Sequence, residues 1–454
     1  MAFTISDKPW EDLRVILNSG NIENLTKFLE SLTPSDTALS ISRLAPAEQS
    51  RLLSMLDPSF AADVIEDVPD SQAAEIIEEM PPEQAAAIVD EMQSDRQADL
   101  LSELETEDME AILKKMTPSD AEEARTLLSY PADSAGGIMI SEFLAYRDDL
   151  FITDVLEDLQ EKREIYMDYH VQYLYIVDRE GKLSGVLKMR DLLFTPKSTS
   201  LDRVMIEKPL YVKTDDSLED LRAFFKEHKL FGAPVIDHDN RLVGVVLPSA
   251  VEEATQKQTV SQFLSFSGII GGEEFRSMPL INRTGRRLSW LSINIVLNII
   301  AASVIALYQD TLVAVITLAI FLPMISDMCG CSGNQAVAVS MRELTLGLVK
   351  PREIIRVLGK EISLGVVNGA ALGLLLGGVA LLWKGNPYLG LVVGGALMAN
   401  TIVSVSLGGV LPLLLKSIKL DPAMVASPIL TTITDMCGFF FVLSFATLII
   451  SKLG

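Results

Sequence analysis

Cysteine is absent from the first 256 residues of this 454-residue chain; all three, Cys329, Cys331 and Cys437, fall in apolar stretches further on. A disulfide framework is thereby excluded from the first part, as suits a domain in a reducing compartment. Histidine is equally scarce. His170, His228 and His238 are scattered without ligand spacing and none follows residue 238, which removes a histidine-held metal centre and a membrane metalloprotease of the His-Glu-x-x-His kind. Positive charge is in deficit, with a net charge of −23, and phosphate backbones are bound through Lys and Arg patches, so nucleic acid is not a partner. The first residues, MAFTISDKPWEDLRVIL, lack both the basic flank and the apolar stretch of a cleaved signal peptide, so membrane entry is expected further along.

What is present divides the chain. At this length two or three folding units are expected. From Lys257 onward there are 9 acidic and 14 basic residues, so the first 256 hold 52 acids against 24 bases. An acidic surface of that kind either keeps a domain soluble or attracts cations. The later part is dominated by apolar stretches at about 288–308, 313–340, 361–383, 389–415 and 427–451. Each is long enough for about 30 Å of hydrocarbon, which takes about 20 helical residues.

Two repeats organise the acidic half. Prolines recur at Pro34, Pro46, Pro58, Pro69 and Pro81, about twelve residues apart. Proline is tolerated in the first turn of a helix and not inside it, so this spacing predicts short helices stacked as a small solenoid. Asp95 and Asp99 lie four apart and therefore on one helix side, a solvated face or a cation site. Further on, YLYIVDREGKLSGVL and GAPVIDHDNRLVGVV align without gaps at an offset of 59 residues. Each copy reads strand, polar turn, strand, and each is preceded by an Ile/Val-Met-Ile segment and an acidic Leu-Glu-Asp-Leu helix. This doublet resembles a tandem pair of cystathionine-β-synthase-type (CBS) modules, a family that packs in pairs and often binds adenine nucleotides. The stretch 254–282 then reads as a connecting helix ending at Gly268 or at Gly271-Gly272.

Charge orients the apolar stretches. Arg283, Arg286 and Arg287 precede the first, Arg342, Lys350, Arg352, Arg356 and Lys360 follow the second, and Lys416 and Lys419 follow the fourth, whereas the alternate connections are nearly free of positive charge. By the positive-inside rule the basic loops are cytosolic, on the same side as the acidic half. Within the spans, Asp327 and Asp435 stand without a lysine or arginine at similar depth. An ionisable group in a bilayer costs about 2.5–3.5 kcal/mol on insertion scales, so it lines a pathway or has a partner. A carboxylate with oxygen-rich surroundings suits a hard divalent ion that keeps its water, and Mg²⁺ keeps it most firmly. Gly365, Gly369, Gly373 and Gly377, a ladder of four-residue steps, read as helix packing.

An acidic helical N-domain, two CBS modules, a connecting helix, Ser-Gly-Asn-Gln-Ala in the second span and Thr-Thr-x-Thr-Asp-x-x-Gly in the fifth together resemble the MgtE magnesium channels, related to the animal solute-carrier 41 group. The resemblance implies a multidomain membrane protein: residues 1–130 an all-α helical-repeat domain, 131–253 the α/β CBS pair, 254–282 a connecting (plug) helix, and 283–454 a five-helix transmembrane bundle. It implies a homodimer in the cell membrane, not an enzyme, with its N-terminal half cytosolic and a pore on the twofold axis. Asp435 would hold the hydrated ion, with Gly333 and Asn334 nearby and Asp327 on the second span. Cytosolic Mg²⁺ would close the assembly, and Asp95, Asp99, Glu219 and Glu253 match family positions for that regulatory metal. An adenine nucleotide at the CBS pair is a further expectation.

The sequence departs from that pattern in two places. Ser249 and Ala250, then TQKQTVSQ, stand where the family carries acids leaving the second module and along the connecting helix, and Lys229 stands where an aspartate is expected. Fewer carboxylates weaken divalent binding at that interface. Cys329 and Cys331 beside Asp327 are the second departure, read as small-residue packing or as a preference for a softer ion such as Zn²⁺ or Co²⁺. The rival functions are therefore an ion-coupled secondary transporter and a membrane sensor that moves nothing.

Overall fold

The computed structural model describes residues 7–167, 169, 172–269, 280–418 and 420–453. His170, Lys419 and the Gly271-Gly272 pair lie outside the described residues. The chain forms two compact units whose boundary falls between Gln258 and Thr259.

In the first unit the proline period becomes a helix period. Helices begin at Pro34, Pro46, Pro58, Asp70, Pro82, Ser94, Thr106 and Pro118, each twelve residues after the last. Proline at the first helical position presents a fixed φ and gives up only an N–H that has no intrahelical partner. Ser94 and Thr106 take proline's place and Pro118 restores it, so the repeat runs three helices beyond the proline series. Thr33 and Thr117 cap two of the starts, accepting from the N–H groups of Asp36 and Asp120. Each helix packs on the one two places along: Asp70–Glu78 on Ser94–Glu103, and Ser94–Glu103 on Pro118–Leu128. The shared core holds Phe28, Leu52, Ile65, Ile77, Leu101 and Leu113, all essentially unexposed. Each such side chain stabilises the fold by about 1.5–3 kcal/mol.

The two CBS-like copies give two small sheets. In the first, β1 (Leu144–Arg147) runs parallel to β2 (Tyr173–Val177), which pairs antiparallel with β3 (Leu183–Lys188), and β3 with β4 (Ile206–Glu207). In the second, β5 (Val212–Lys213) is parallel to β6 (Ala233–Ile236), and β6 antiparallel to β7 (Leu242–Val246). The copies exchange their leading segments. Ile140 bridges to Val245 in the second sheet, while Ile206 pairs with Val186 in the first. This exchange explains why the Ile/Val-Met-Ile motif precedes each copy.

The connecting helix starts earlier than 254: it runs Pro248–Phe266, directly from β7, because Pro248 supplies its first turn. It ends where expected. Gly268 adopts a left-handed φ of 83°, and Ile269 N–H donates to the Leu264 carbonyl at 3.0 Å. A side chain at Gly268 would also strike the Trp290 indole.

The second unit is helical. Among the described residues four helices are long and apolar enough to cross a membrane: Arg283–Leu307, Pro351–Lys384, Pro387–Ser417 and Pro422–Leu448. The stretch read as a single span at 313–340 is instead a short helix, Gln309–Ala314, a break, and the 28-residue helix Leu318–Thr345. Its polar centre, SDMCGCSGNQ, sets it apart in composition from the other four. The span read at 361–383 belongs to a longer helix, Ile354–Lys384, so Glu361 lies two turns inside it. Pro387–Ser417 is the central element, packed by Leu318–Thr345, Ile354–Lys384 and Pro422–Leu448. The turn before it is built from three residues in a row. Gly385 takes a left-handed φ of 69°, the Asn386 side chain accepts from the N–H groups of Tyr388 and Leu389, and Pro387 opens the helix.

Candidate functional site

Asp435 sits in the middle of Pro422–Leu448, seven residues after Pro428. A proline inside a helix releases one backbone carbonyl from its i→i−4 bond. The neighbouring threonines turn inward on their own helix: Thr431 Oγ1 donates to the Ser427 carbonyl at 2.9 Å and Thr432 Oγ1 to the Pro428 carbonyl at 2.8 Å. Asp435 itself is 7 % exposed. Its carboxylate accepts from the Ser326 hydroxyl, and no cationic side chain pairs with it among the described residues.

The partner on the facing helix is thus Ser326 and not the next residue, Asp327. One residue turns a helix by about 100°, and Asp327 is exposed. Sequence reading singled out Asp327 because it is charged; the structure does not bring it to Asp435. Gly333 is a contact point between helices, since a Cβ there would strike Ser404 Oγ and Leu430. Asn334 is half-buried and its Oδ1 has no partner among the described residues.

The central helix contributes residues that sequence reading missed. Asn400 is 0 % exposed, and its Nδ2 donates to the Thr434 carbonyl at 2.9 Å, immediately before Asp435. Gly438, one turn on, makes room for it: an added Cβ would lie 2.8 Å from Asn400 Nδ2. Asn400 Oδ1 has no hydrogen-bond partner among the described residues. Ser404 Oγ donates to the Cys329 carbonyl at 2.5 Å, and Cys329 Sγ lies 3.8 Å from Thr401 Oγ1. The available signal was Asn400-Thr401-x-x-Ser404 inside an otherwise apolar stretch. Cys329 is buried and Cys331 exposed, two residues and about 200° apart, so the two thiols do not converge. No group of three His, Cys, Asp or Glu side chains among the described residues is arranged to hold a metal ion on one chain.

The first unit assembles a second group. Asp95, Asp99 and Glu253 line one cavity of about 270 Å³, with Asp70, Arg96 and Lys257. Asp95 and Asp99 come from Ser94–Glu103, and Glu253 and Lys257 from the connecting helix, one turn apart. Glu219 is exposed on Leu218–Glu227; its neighbour Leu218 lines the cavity. Arg96 forks onto Glu253 with two bonds of 2.5 Å, and Lys257 Nζ lies 2.7 Å from Asp70 and 2.9 Å from Asp99. Burial raises the Asp95 carboxyl to about 6. Burial also raises Asp99, against the pull of Lys257. Glu253 ends below its ordinary value because Arg96 and Lys257 outweigh its burial. Oxygen donors of this kind suit Mg²⁺, but here they already hold two fixed cations. At the CBS pair, the cleft lined by Tyr173, Tyr175 and Phe231 encloses about 20 Å³, far below the volume of a ligand pocket.

Comparison with known proteins agrees with this division. Residues 322–445 match the family model MgtE, described as a divalent cation transporter; residues 32–133 match the MgtE intracellular N domain, and 135–197 and 201–254 match CBS domains. The chain is 30 % identical to the magnesium transporter MgtE of Thermus thermophilus over 73 % of its own length and 74 % of the relative's. It is 27 % identical to the magnesium transporter MgtE of Bacillus subtilis over 74 % of each chain. The crystal structure of the soluble part of a magnesium transporter superposes with a TM-score of 0.50 at 24 % identity, covering 56 % of this chain and 98 % of that one, which shows a shared fold.

Proposed function

The chain belongs to the MgtE family of divalent-cation transporters, and from that membership we propose that it carries Mg²⁺ across a membrane past Asp435, with the acidic CBS-containing half in the cytosol. The carrying observation is a buried carboxylate whose described partner is a hydroxyl, Ser326, and not a cation. In a low-dielectric bundle such a group is stable beside a positive ion or its water shell. A hydrated Mg²⁺ is the hard ion that fits a carboxylate, a hydroxyl and helix carbonyls. The basic loops at 283–287, 342–360 and 416 place the ends they flank in the cytosol.

In this reading Leu318–Thr345 is the second of five spans, and a second copy of the chain covers it. Its exposed face carries Met324, Asp327, Met328, Cys331 and Gln335, a stripe too polar for lipid and suited to lining a path on a twofold axis. Asn334, whose Oδ1 lacks a described partner, and Gly333 lie on the same helix near that path. The domain limits are those read from the sequence, with the connecting helix moved forward to Pro248. An adenine nucleotide at the CBS pair requires the cleft at Tyr173 and Phe231 to open. Regulatory binding of Mg²⁺ by Asp95, Asp99, Glu219 and Glu253 requires displacing Lys257 and Arg96.

The test is Mg²⁺ uptake by wild type and Asp435→Ala in cells lacking other uptake routes. Loss of uptake with surface expression retained is expected. Equal uptake by both would remove Asp435 from the path, and no uptake by wild type would favour a sensor.

A further inference from the structure

We propose that Lys257 is a built-in counter-cation that clasps the connecting helix to the helical-repeat domain without a divalent ion, taking the place that regulatory Mg²⁺ would occupy. Three elements meet at its ammonium. Asp70 opens one helix, Asp99 lies on the helix stacked against it, and Glu253 precedes Lys257 by one turn on the connecting helix. The Nζ is 2.7 Å from Asp70 Oδ2, 2.9 Å from Asp99 Oδ2 and 3.5 Å from Glu253 Oε1. Arg96 completes the clasp from the repeat domain with its fork onto Glu253.

Position and charge both exclude a metal from the same oxygens. Mg²⁺ binds oxygen at about 2.0–2.1 Å in an octahedron, so an ion shared by Asp70 and Asp99 would have to sit where the ammonium now stands. Moving the lysine aside would leave a positive charge against the incoming dication in a half-buried cavity, where repulsion is only partly screened. The four carboxylates of Asp70, Asp95, Asp99 and Glu253 share their cavity with two fixed cations, Arg96 and Lys257. The ammonium also substitutes well in kind. It is a compact point charge with three donors, and three carboxylates surround it. This clasp accounts for a connecting helix that reads TQKQTVSQ: with the cation covalently supplied, additional acids are not needed to recruit one.

The experiment is hydrogen–deuterium exchange on the full chain in lipid nanodiscs, read on peptides from Pro248–Phe266 and Ser94–Glu103, in EDTA and in millimolar Mg²⁺. In wild type, exchange is expected to change by less than about twofold between the two conditions. Lys257→Met should exchange about tenfold faster in EDTA and slow again in Mg²⁺, as the vacated carboxylates take up the ion. Lys257→Arg should match wild type in both. A tenfold slowing of wild type by Mg²⁺ would overturn the proposal, as would a Lys257→Met protein that stays fully protected in EDTA. Should Lys257→Met fail to fold, Asp99→Asn loosens the same clasp from the other side, and the wild-type comparison decides alone. The readout does not involve flux, so its result stands apart from the assignment of Asp435.

Discussion

Alanine at Gly377 and alanine at Gly378 should behave oppositely, although the positions are adjacent on one helix. The helices Ile354–Lys384 and Pro387–Ser417 touch backbone to backbone: a Cβ at Gly377 would lie 2.7 Å from the Gly390 carbonyl oxygen, and one at Gly373 2.5 Å from that of Gly394. The contact is reciprocal, since a Cβ at Gly390 would lie 2.6 Å from the Gly377 carbonyl. An ordinary carbon–oxygen contact is about 3.2 Å or more, so Gly377→Ala must separate two well-packed helices by roughly half an ångström. Overpacking of that kind costs about 1–3 kcal/mol. At Gly378 an added methyl meets nothing within 4 Å, so only the helix-propensity gain remains. At about 2–4 °C per kcal/mol for a unit of this size, Gly377→Ala should lower Tm by about 5 °C and Gly378→Ala should leave it unchanged or raise it. Thermal unfolding of the detergent-purified proteins, followed by the monodisperse fraction on size exclusion, measures both. Equal Tm values for the two variants would refute the idea that this ladder is an interface.

Two further outcomes follow from the buried polar groups. Asn400→Ala loses one hydrogen bond to the Thr434 carbonyl, worth about 1 kcal/mol, but also removes an unpaired buried oxygen that costs about 1–3 kcal/mol, so Tm should hold while the apparent KM for Mg²⁺ uptake rises several-fold. A large drop in Tm with unchanged uptake would make Asn400 merely structural. Asp95 has its folded-state value raised to about 6 by burial, so the folded chain binds its proton more tightly than the unfolded chain; the stability linked to this proton is complete below about pH 4 and is lost as pH rises through 6. Asp95→Asn should therefore stabilise the protein at pH 7.5, by on the order of 2 kcal/mol, and bring no gain at pH 4, as checked by thermal unfolding at the two pH values; a pH-independent difference would contradict the assignment.

The parts of this molecule that repeat were legible in its sequence, and the parts that depend on one helix facing another were not. A twelve-residue proline period and a 59-residue duplication each report a local rule applied many times, and local rules survive translation into structure: the helices do begin every twelve residues. The exchange of leading segments between the CBS copies is a pairing across sequence distance, so the Ile/Val-Met-Ile motif before each copy was visible but not the sheet it joins. Charge inside an apolar stretch drew the eye to Asp435 and Asp327 alike and passed over Ser326, which meets Asp435, because periodicity within a helix cannot say which side a neighbour occupies.

The same limit explains the lysine. In the sequence, Lys257 counts as one base among lost acids, and the acidic cluster reads as an invitation to a metal. Asp70 and Asp99 lie 187 and 158 residues from Lys257 along the chain, and only the fold shows that the partner they share with Glu253 is its ammonium. Composition counts charges, whereas a binding site is a question of which charge stands at the centre. Here the centre is taken by a side chain that dilution and chelators cannot remove, so any control of the pathway by this cluster must act through the helix that carries it.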